Sequence, residues 1–166
     1  MLKCIRYSMC VVGFLASTST LADITIPMYL TAKQGLGESI GNVTAKQTPK
    51  GMLLTPDLYN LPPGPHGFHI HQNPSCLDNG MAAGGHFDPK HTDRHLGPYG
   101  KGHLGDLPVL EVDKNGKATT PVLAPRLQEQ ALKNHSLVIH AGSDNYSDSP
   151  KPLGGGNSRV ACGVIE

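Results

Sequence analysis

The histidines of this chain are numerous and unevenly placed. Nine occur among 166 residues, and seven of them fall between residues 66 and 103, where an even spread would put about two. A single histidine is most often a surface or hydrogen-bonded residue, but imidazole is also a favoured ligand of zinc and copper. Because the clustering exceeds chance, it predicts a metal-binding region in this part of the chain.

The spacing of the first histidines predicts a pair of ligands on a strand. His69 and His71 flank Ile70 in an apolar segment, and on a β-strand residues i and i+2 project from the same face. The two imidazoles could therefore bind one metal ion while Ile70 packs into the core. His140 ends another apolar segment and is a further candidate ligand from elsewhere in the chain.

A second group of candidate ligands lies in one glycine-rich loop. Its members are three histidines and a carboxylate, namely His86, His95, His103 and Asp106. Six glycines between positions 84 and 105 let this loop coil around an ion without steric penalty. Three imidazoles and one carboxylate complete the tetrahedral shell that zinc prefers.

The elements that must position these ligands are predicted to be β-strands. Apolar and polar residues alternate over 24–31, with the period of two that is typical of a half-buried strand. The Asn115-Gly116 pair predicts a hairpin between 109–112 and 118–123. One helix of about two turns is expected at 126–133. Further short apolar segments lie at 52–54, 67–71, 137–140 and 160–165.

The composition agrees with an all-β fold. The chain has 20 Gly and 14 Pro, only 16% charged residues and no Trp, which excludes a coiled coil and disfavours a helix-dominated fold. Short strands separated by turn residues indicate a sandwich or barrel. The long loops at 73–106 and 142–158 are of the length that usually carries function.

The first 22 residues have the three-part pattern of a secretory signal peptide. Lys3 and Arg6 give a positive start, residues 11–16 are apolar, and small residues lead to Ala22, after which we expect cleavage. The mature protein would then be one exported domain at 23–166. The chain has no apolar run of about 18 residues, which predicts no membrane anchor. Its formal net charge of +1 excludes a strongly basic nucleic-acid-binding protein.

Two of the four cysteines, Cys76 and Cys162, remain after that cleavage. An even number of cysteines in an exported protein predicts a disulfide bond between them. A bridge across this length of chain would stabilise the fold by roughly 4 kcal/mol in the chain-entropy model.

Five segments together resemble copper/zinc superoxide dismutase, and specifically the bacterial periplasmic branch of that family. They follow one another in order over the mature chain, at 67–71 (GFHIH), 84–89 (GGHFDP), 102–108 (GHLGDLP), 140–145 (HAGSDN) and 154–165 (GGGNSRVACGVI). The resemblance implies a Greek-key β-sandwich, or flattened eight-stranded barrel, with long metal-binding loops. It implies an exported, periplasmic antioxidant enzyme that dismutates superoxide with a redox-cycling copper beside a structural zinc. Superoxide is then the substrate, and homodimer formation is left open.

The resemblance also implies a role for each matching residue. The copper ligands would be His69, His71, His86 and His140, and the zinc ligands His86, His95, His103 and Asp106. His86 would bridge the two metals and deliver a proton to nascent peroxide. Asp144 would hydrogen-bond His69 and His95 from outside the ligand shells. Arg159 would attract and orient the anion beside the copper, and the disulfide would fix the loop near it. Asn157 replaces a glycine of the family pattern, and Asn tolerates positive φ.

Other interpretations stay open at the level of sequence. An exported protein that binds or buffers copper and zinc without turnover would use the same ligands, but it gives Arg159 and Asp144 no purpose. A structural sandwich stabilised by metals explains the zinc ligands but not a four-imidazole site that shares His86. A zinc hydrolase lacks an obvious carboxylate base. His91 is expected at the surface, with an accessory metal contact as the alternative, and Lys151 is either a helper in anion attraction or a solvated cation.

Overall fold

A computed structural model describes residues 22–166, so the predicted signal peptide lies outside the described residues except for its last one. The described chain forms nine β-strands: β1 (Ile24–Leu30), β2 (Ser39–Thr48), β3 (Gly51–Leu58), β4 (Gly64–His66), β5 (Phe68–His71), β6 (Leu110–Val112), β7 (Val122–Ala124), β8 (His135–His140) and β9 (Arg159–Ile165). Helical structure in this part of the chain is limited to single 3₁₀ turns at Met81–Ala83, Glu129–Ala131 and Leu153–Gly155. None of the helices between residues 22 and 166 is long and apolar enough to cross a membrane. The all-β prediction is confirmed.

Seven strands form one curled antiparallel sheet, and two form a small separate sheet. The order in the large sheet is β5-β8-β9-β1-β2-β3-β7, and the small sheet pairs β4 with β6. Sequence neighbours β1, β2 and β3 lie side by side, whereas β5 reaches its partner β8 across more than sixty residues of chain. The long connections between β5 and β8 carry the glycine-rich loop with the candidate zinc ligands.

Strands β4 and β5 are one stretch of chain that changes sheet at Gly67. The Gly67 N–H donates to the carbonyl of Gly142, and its own carbonyl accepts from the N–H of His140. A Cβ atom at this position would lie 3.1 Å from the His69 ring, so a larger residue here would press against that ring. If β4 and β5 are counted as one bent strand, the described strands number eight.

The core explains which faces of these strands point inward. Ile26 and Met28 of β1 are fully buried, as are Leu54 of β3 and Leu137 and Ile139 of β8. These residues belong to one continuous apolar cluster that fills the space between the curled sheet and the β4–β6 pair. Burial of this cluster is the main force that brings the distant strands together.

The predicted hairpin of 109–112 with 118–123 is wrong in its pairing. The turn does form, because the Asp113 carboxylate accepts hydrogen bonds from the N–H groups of Asn115 and Lys117. However, β6 pairs with β4, and β7 pairs with β3 in the other sheet. The turn therefore carries the chain from one sheet to the other.

The predicted helix at 126–133 is reduced to the 3₁₀ turn at Glu129–Ala131. Leu127 and Leu132 are both buried in the main core, and their spacing of five residues does not place them on one face of an α-helix. The N–H of Glu129 is satisfied by the side-chain carbonyl of Gln47 from β2. Core packing thus overrides the local helix propensity.

Candidate metal centre

The predicted ligands of both groups converge at one end of the sheet, next to the bend at Gly67. His69 and His71 lie on β5, and His140 ends the adjacent strand β8. The loop returns to β5 through isolated bridges of His86 to His71 and of Asp106 to His69. Strand pairing therefore fixes the first three side chains, and two backbone contacts bring the glycine-rich loop against them.

Two overlapping groups result. In each group the ligand atoms lie within 4.8 Å of one another, and every member is buried. The first group is His69, His71, His86 and His140, and the second is His86, His95, His103 and Asp106. His86 is common to both, so the two groups share one imidazole.

Hydrogen bonds from the protein orient the two imidazoles of the first group that lie on β5. The Nε2 atom of His69 lies 2.8 Å from a carboxylate oxygen of Asp144, and Nδ1 of His71 lies 2.9 Å from the Gly84 carbonyl. These contacts leave Nδ1 of His69 and Nε2 of His71 facing the centre of the group. Nε2 of His71 is 3.2 Å from Nε2 of His140, a close approach of two lone-pair atoms that suits a shared cation.

The second group is arranged around one oxygen of Asp106. Oδ1 of this carboxylate lies 3.0 Å from Nδ1 of His86, 3.0 Å from Nδ1 of His95 and 3.4 Å from Nδ1 of His103. Three imidazoles that approach one carboxylate through the same kind of nitrogen form the compact N₃O set that suits zinc.

Asp144 connects the two groups through the ring nitrogens that point away from their centres. Its two carboxylate oxygens accept hydrogen bonds from Nε2 of His69 and Nε2 of His95, each at 2.8 Å, and both histidines are fully buried. The N–H of Tyr146 donates to the same carboxylate at 2.7 Å. This arrangement fixes the tautomer of both rings, because each must keep its proton on Nε2 and present Nδ1 to the centre.

The unsatisfied nitrogens fit metal ions at both groups. Among the described residues, buried nitrogens without a hydrogen-bond partner are Nδ1 of His69, Nε2 of His86, Nδ1 of His95 and Nδ1 of His103. Buried polar atoms are otherwise almost always satisfied, and leaving one unpaired costs about 1–3 kcal/mol. Each of these atoms faces the centre of a group, so the chain fits a copper-type site of four imidazoles beside a zinc-type site.

Protonation is unfavourable in the first group. Burial, with the neighbouring His86 as a smaller cause, lowers the pKa of His69 to about 3. Burial also lowers the pKa of His140 to about 4 and that of His71 well below its usual range. Neutral imidazoles with free lone pairs are the form that binds a metal.

In the second group, charged carboxylates offset the effect of burial on the pKa values. Burial opposes the charged form of His95, but the adjacent carboxylates of Asp106 and Asp144 raise its pKa to about 9. Burial likewise opposes ionisation of these two carboxyls, yet the hydrogen bonds from the surrounding histidines hold the pKa of each well below its usual value. The carboxylates are therefore charged at neutral pH, as ligands and orienting groups must be.

A cleft of about 300 Å³ opens onto the first group. His71, His86 and His140 line it together with Arg159 and Lys151. The guanidinium of Arg159 donates to the carbonyls of Gly80, at 2.5 Å, and Gly84, at 2.6 Å. Arg159 is therefore held in place at the cleft by two backbone contacts, with its positive charge available to a small anion.

The disulfide bond between Cys76 and Cys162 is formed, as predicted. Cys162 lies on β9 and Cys76 on the loop that contains Gly80 and Gly84. The bridge thus ties that loop to the strand that carries Arg159. Asn157 adopts a φ of 61°, the left-handed conformation expected of a residue that takes the place of glycine.

Histidines outside the two groups have other partners. His66 is buried, and its two ring nitrogens each lie 2.7 Å from a backbone carbonyl, those of His140 and Pro62. His91 is exposed, as expected, and adopts a φ of 50°. His135 packs its ring against Phe87, with the ring centroids 4.0 Å apart.

Two side chains that sequence reasoning missed hold the glycine-rich loop. Arg126 donates to the carbonyl of Gly102 at 2.7 Å, one residue before His103. Asp148 accepts a hydrogen bond from the backbone N–H of His95 at 2.8 Å. Both act on the main chain, and the only signal of Asp148 in the sequence is its position four residues after Asp144.

Comparison with known proteins agrees with this geometry. The family model of copper/zinc superoxide dismutase (SODC) matches residues 39–165. A curated superoxide dismutase [Cu-Zn] of Legionella pneumophila is 54% identical over 151 residues, which cover 91% of each chain.

Solved structures give the same result. The Cu/Zn superoxide dismutase from Brucella abortus superimposes with a TM-score of 0.84 at 46% identity, covering 87% of this chain and all of the other. The monomeric copper, zinc superoxide dismutase from Salmonella enterica gives a TM-score of 0.78 at 52% identity, with 87% of this chain and all of the other covered. The chain therefore belongs to the copper/zinc superoxide dismutase family.

Proposed function

We propose that this protein catalyses the dismutation of superoxide, in which two superoxide anions and two protons give dioxygen and hydrogen peroxide. The observation that carries the proposal is the sharing of His86 by two buried ligand groups, one of four imidazoles and one of three imidazoles and a carboxylate. A protein that only stores metal has no need for a redox-type site and a zinc-type site joined by one ring.

The residues divide between the two metals as follows. Copper would be held by Nδ1 of His69 and by Nε2 of His71, His86 and His140, and zinc by Nδ1 of His86, His95 and His103 with Oδ1 of Asp106. When bound, copper supplies one-electron redox chemistry, whereas zinc has none and serves to shape and tune the site.

The chain's own groups attract the anion and supply a proton. Arg159 presents its guanidinium to the cleft, where a positive charge raises the encounter rate of a small anion and orients it. His86 lines the same cleft, with Nε2 buried and unpaired and Nδ1 held by Asp106. When it is not bound to copper, its Nε2 atom can therefore carry the proton that developing peroxide needs.

We propose that the protein works outside the cytoplasm, in the periplasm, after removal of residues 1–22. The signal pattern of the first 22 residues and the disulfide bond between Cys76 and Cys162 support this location, because disulfides form and persist in oxidising compartments. The domain at 23–166 would then be the mature enzymatic domain. A monomer or a homodimer is compatible with the site, because every proposed ligand comes from one chain.

The test is superoxide decay with the mature protein loaded with copper and zinc, compared with the protein loaded with zinc alone. We expect fast decay only when copper is present. Arg159→Ala should lower kcat/KM at least tenfold and weaken its dependence on salt, since the lost charge is the one that attracts the anion.

Lys117→Ala provides the matched control, because it removes the same unit of charge at an exposed turn away from the cleft lining. Its rate should equal that of the unmodified protein. Tight copper binding with decay no faster than in buffer would overturn the proposal and favour the copper-buffering alternative.

A further inference from the structure

Two carboxylates of the loop between β8 and β9 accept hydrogen bonds from His95, a member of the zinc-type group. Asp144 accepts a hydrogen bond from the ring of His95, and Asp148 accepts one from its backbone N–H, each at 2.8 Å. His95 is thus held from one loop by its side chain and by its main chain. Only the first of these contacts follows from the family pattern.

The second oxygen of Asp148 holds the rim of the cleft. It accepts a hydrogen bond from the N–H of Leu153 at 3.1 Å. Leu153 and Lys151 both line the cleft above the four-imidazole group and belong to residues 149–155, here called the rim segment. One carboxylate therefore connects the main chain of a zinc ligand with the segment that shapes access to the copper-type site.

The rim segment depends on this connection for its conformation. Leu153 has a φ of 55°, an unfavourable value for a leucine, and Gly154 follows with a φ of 73°. A Cβ atom at Gly154 would lie 2.8 Å from Nε2 of His95 and would collide with Asp144, so the segment packs directly on the hydrogen bond between these two side chains. The carboxylate of Asp148 holds the strained residue just before this contact.

We propose that Asp148 is a positioning residue that couples zinc binding at His95 to the order of the rim segment. The inference rests on the proposed function, since it takes His95 to be a zinc ligand. Bound zinc would fix the ring of His95, whose backbone N–H donates to Asp148, and Asp148 accepts from the N–H of Leu153. Zinc would thus shape the entrance of the copper-type site without contacting it.

Hydrogen exchange tests the coupling directly. In the mature protein with copper in place, adding zinc should slow amide exchange in residues 149–155 at least tenfold. In Asp148→Ala, zinc at saturating concentration should change that exchange less than twofold, and the dissociation constant for zinc, measured by chelator competition, should rise about tenfold.

Asp113→Ala is the matched control, because Asp113 is also a loop carboxylate that accepts two backbone N–H groups, at a turn away from the centre. It should lower stability without changing zinc affinity or zinc-dependent exchange. Asp148→Asn keeps the shape and one acceptor oxygen, so it decides the matter if the alanine variant does not fold, and it should show a partial loss of coupling.

Equal zinc-dependent protection of the rim segment in the unmodified protein and in the Asp148 variants would overturn this inference. If the unmodified protein fails to bind zinc at all, the failure belongs to the proposed function. The two outcomes are distinguishable because the zinc titration of the unmodified protein comes first.

Discussion

The metal-free protein should be most stable between about pH 6 and 7 and should lose stability steeply in acid. The cause is the set of buried imidazoles at the four-histidine group. The pKa of His69 is lowered to about 3 and that of His140 to about 4, against 6.5 for an unperturbed histidine. As the pH falls below 6.5, the unfolded chain therefore takes up protons that the folded protein cannot bind, and folding becomes less favourable.

The magnitude follows from linkage. Between pH 6.5 and pH 4 each of these two histidines removes about 3 kcal/mol from the free energy of unfolding, because a shift of one pKa unit is worth about 1.4 kcal/mol. Their sum of about 6 kcal/mol is comparable with the whole stability of many domains. His71 and His86, whose pKa values are also lowered by burial, act in the same direction.

The raised pKa of His95 has the opposite effect on the free energy of unfolding, and it limits stability at alkaline pH. Its pKa is raised to about 9, so the stability that it contributes is fully present below pH 6.5 and is lost as the pH rises toward 9. This loss amounts to about 3 kcal/mol by the same conversion. The two effects together place the maximum near neutral pH.

The assay is urea unfolding of the chelated, disulfide-intact protein from pH 4.5 to 9, followed by far-UV circular dichroism because the chain has no Trp. We expect the free energy of unfolding to fall by about 3 kcal/mol between pH 7 and pH 5. The copper/zinc-loaded protein should start from a higher free energy of unfolding and fall by at least as much over that range, since ring nitrogens occupied by a metal also take up no protons in the folded state. His91→Asn, which alters an exposed histidine outside the cluster, should match the parent. A fall below about 1 kcal/mol would refute the reasoning, because the imidazoles would then be accessible to protons in the folded state.

Three further substitutions have definite expected outcomes. Arg159→Lys keeps the charge but cannot donate to the carbonyls of both Gly80 and Gly84 in the same way, so kcat/KM should fall less than in Arg159→Ala and keep its salt dependence, as stopped-flow decay of superoxide would show. Asp144→Asn places an amide N–H against His69 or His95, and chelator competition should show metal affinity lower by about 10- to 100-fold. Replacing Cys76 and Cys162 by Ser opens a loop of 86 residues and should lower the free energy of unfolding by about 4 kcal/mol in urea; a loss under about 1 kcal/mol would contradict the chain-entropy argument.

The sequence predicted the metal centre better than the connections of the sheet. The i, i+2 pair on β5 and the histidine that ends β8 are local patterns, so strand geometry alone places their side chains. Strand β2 was not predicted, because its alternation is interrupted: Ile40 and Val43 are both buried, although they are three residues apart. The ladder with β1 shifts register between Met28 and Tyr29, opposite this interruption, and such irregularities leave no simple trace in one sequence.

Local sequence patterns could not predict which strands pair across the sheets or which side chains support the backbone of the glycine-rich loop. The chain around Asn115-Gly116 has every local feature of a hairpin, yet the strands on its two sides pair in different sheets, through partners that are distant in sequence. Arg126 and Asp148 act on backbone groups of the glycine-rich loop, and neither contact depends on the identity of a side chain there. An arginine or aspartate in such a role looks in sequence like any other polar residue at the surface.

The carbonyl of Gly84 explains why a disulfide lies so close to the candidate active site. It accepts hydrogen bonds from the guanidinium of Arg159 and from Nδ1 of His71, so one backbone group orients both the cation of the cleft and a proposed copper ligand. The loop that carries Gly84 is attached to β9 by the bridge from Cys76 to Cys162, three residues after Arg159. The loop also contacts β9 through Arg159 and through the packing of Ala83 near Cys162, so movement of the loop would displace the arginine and the histidine together. The disulfide therefore contributes to the geometry of the site as well as to the stability of the fold.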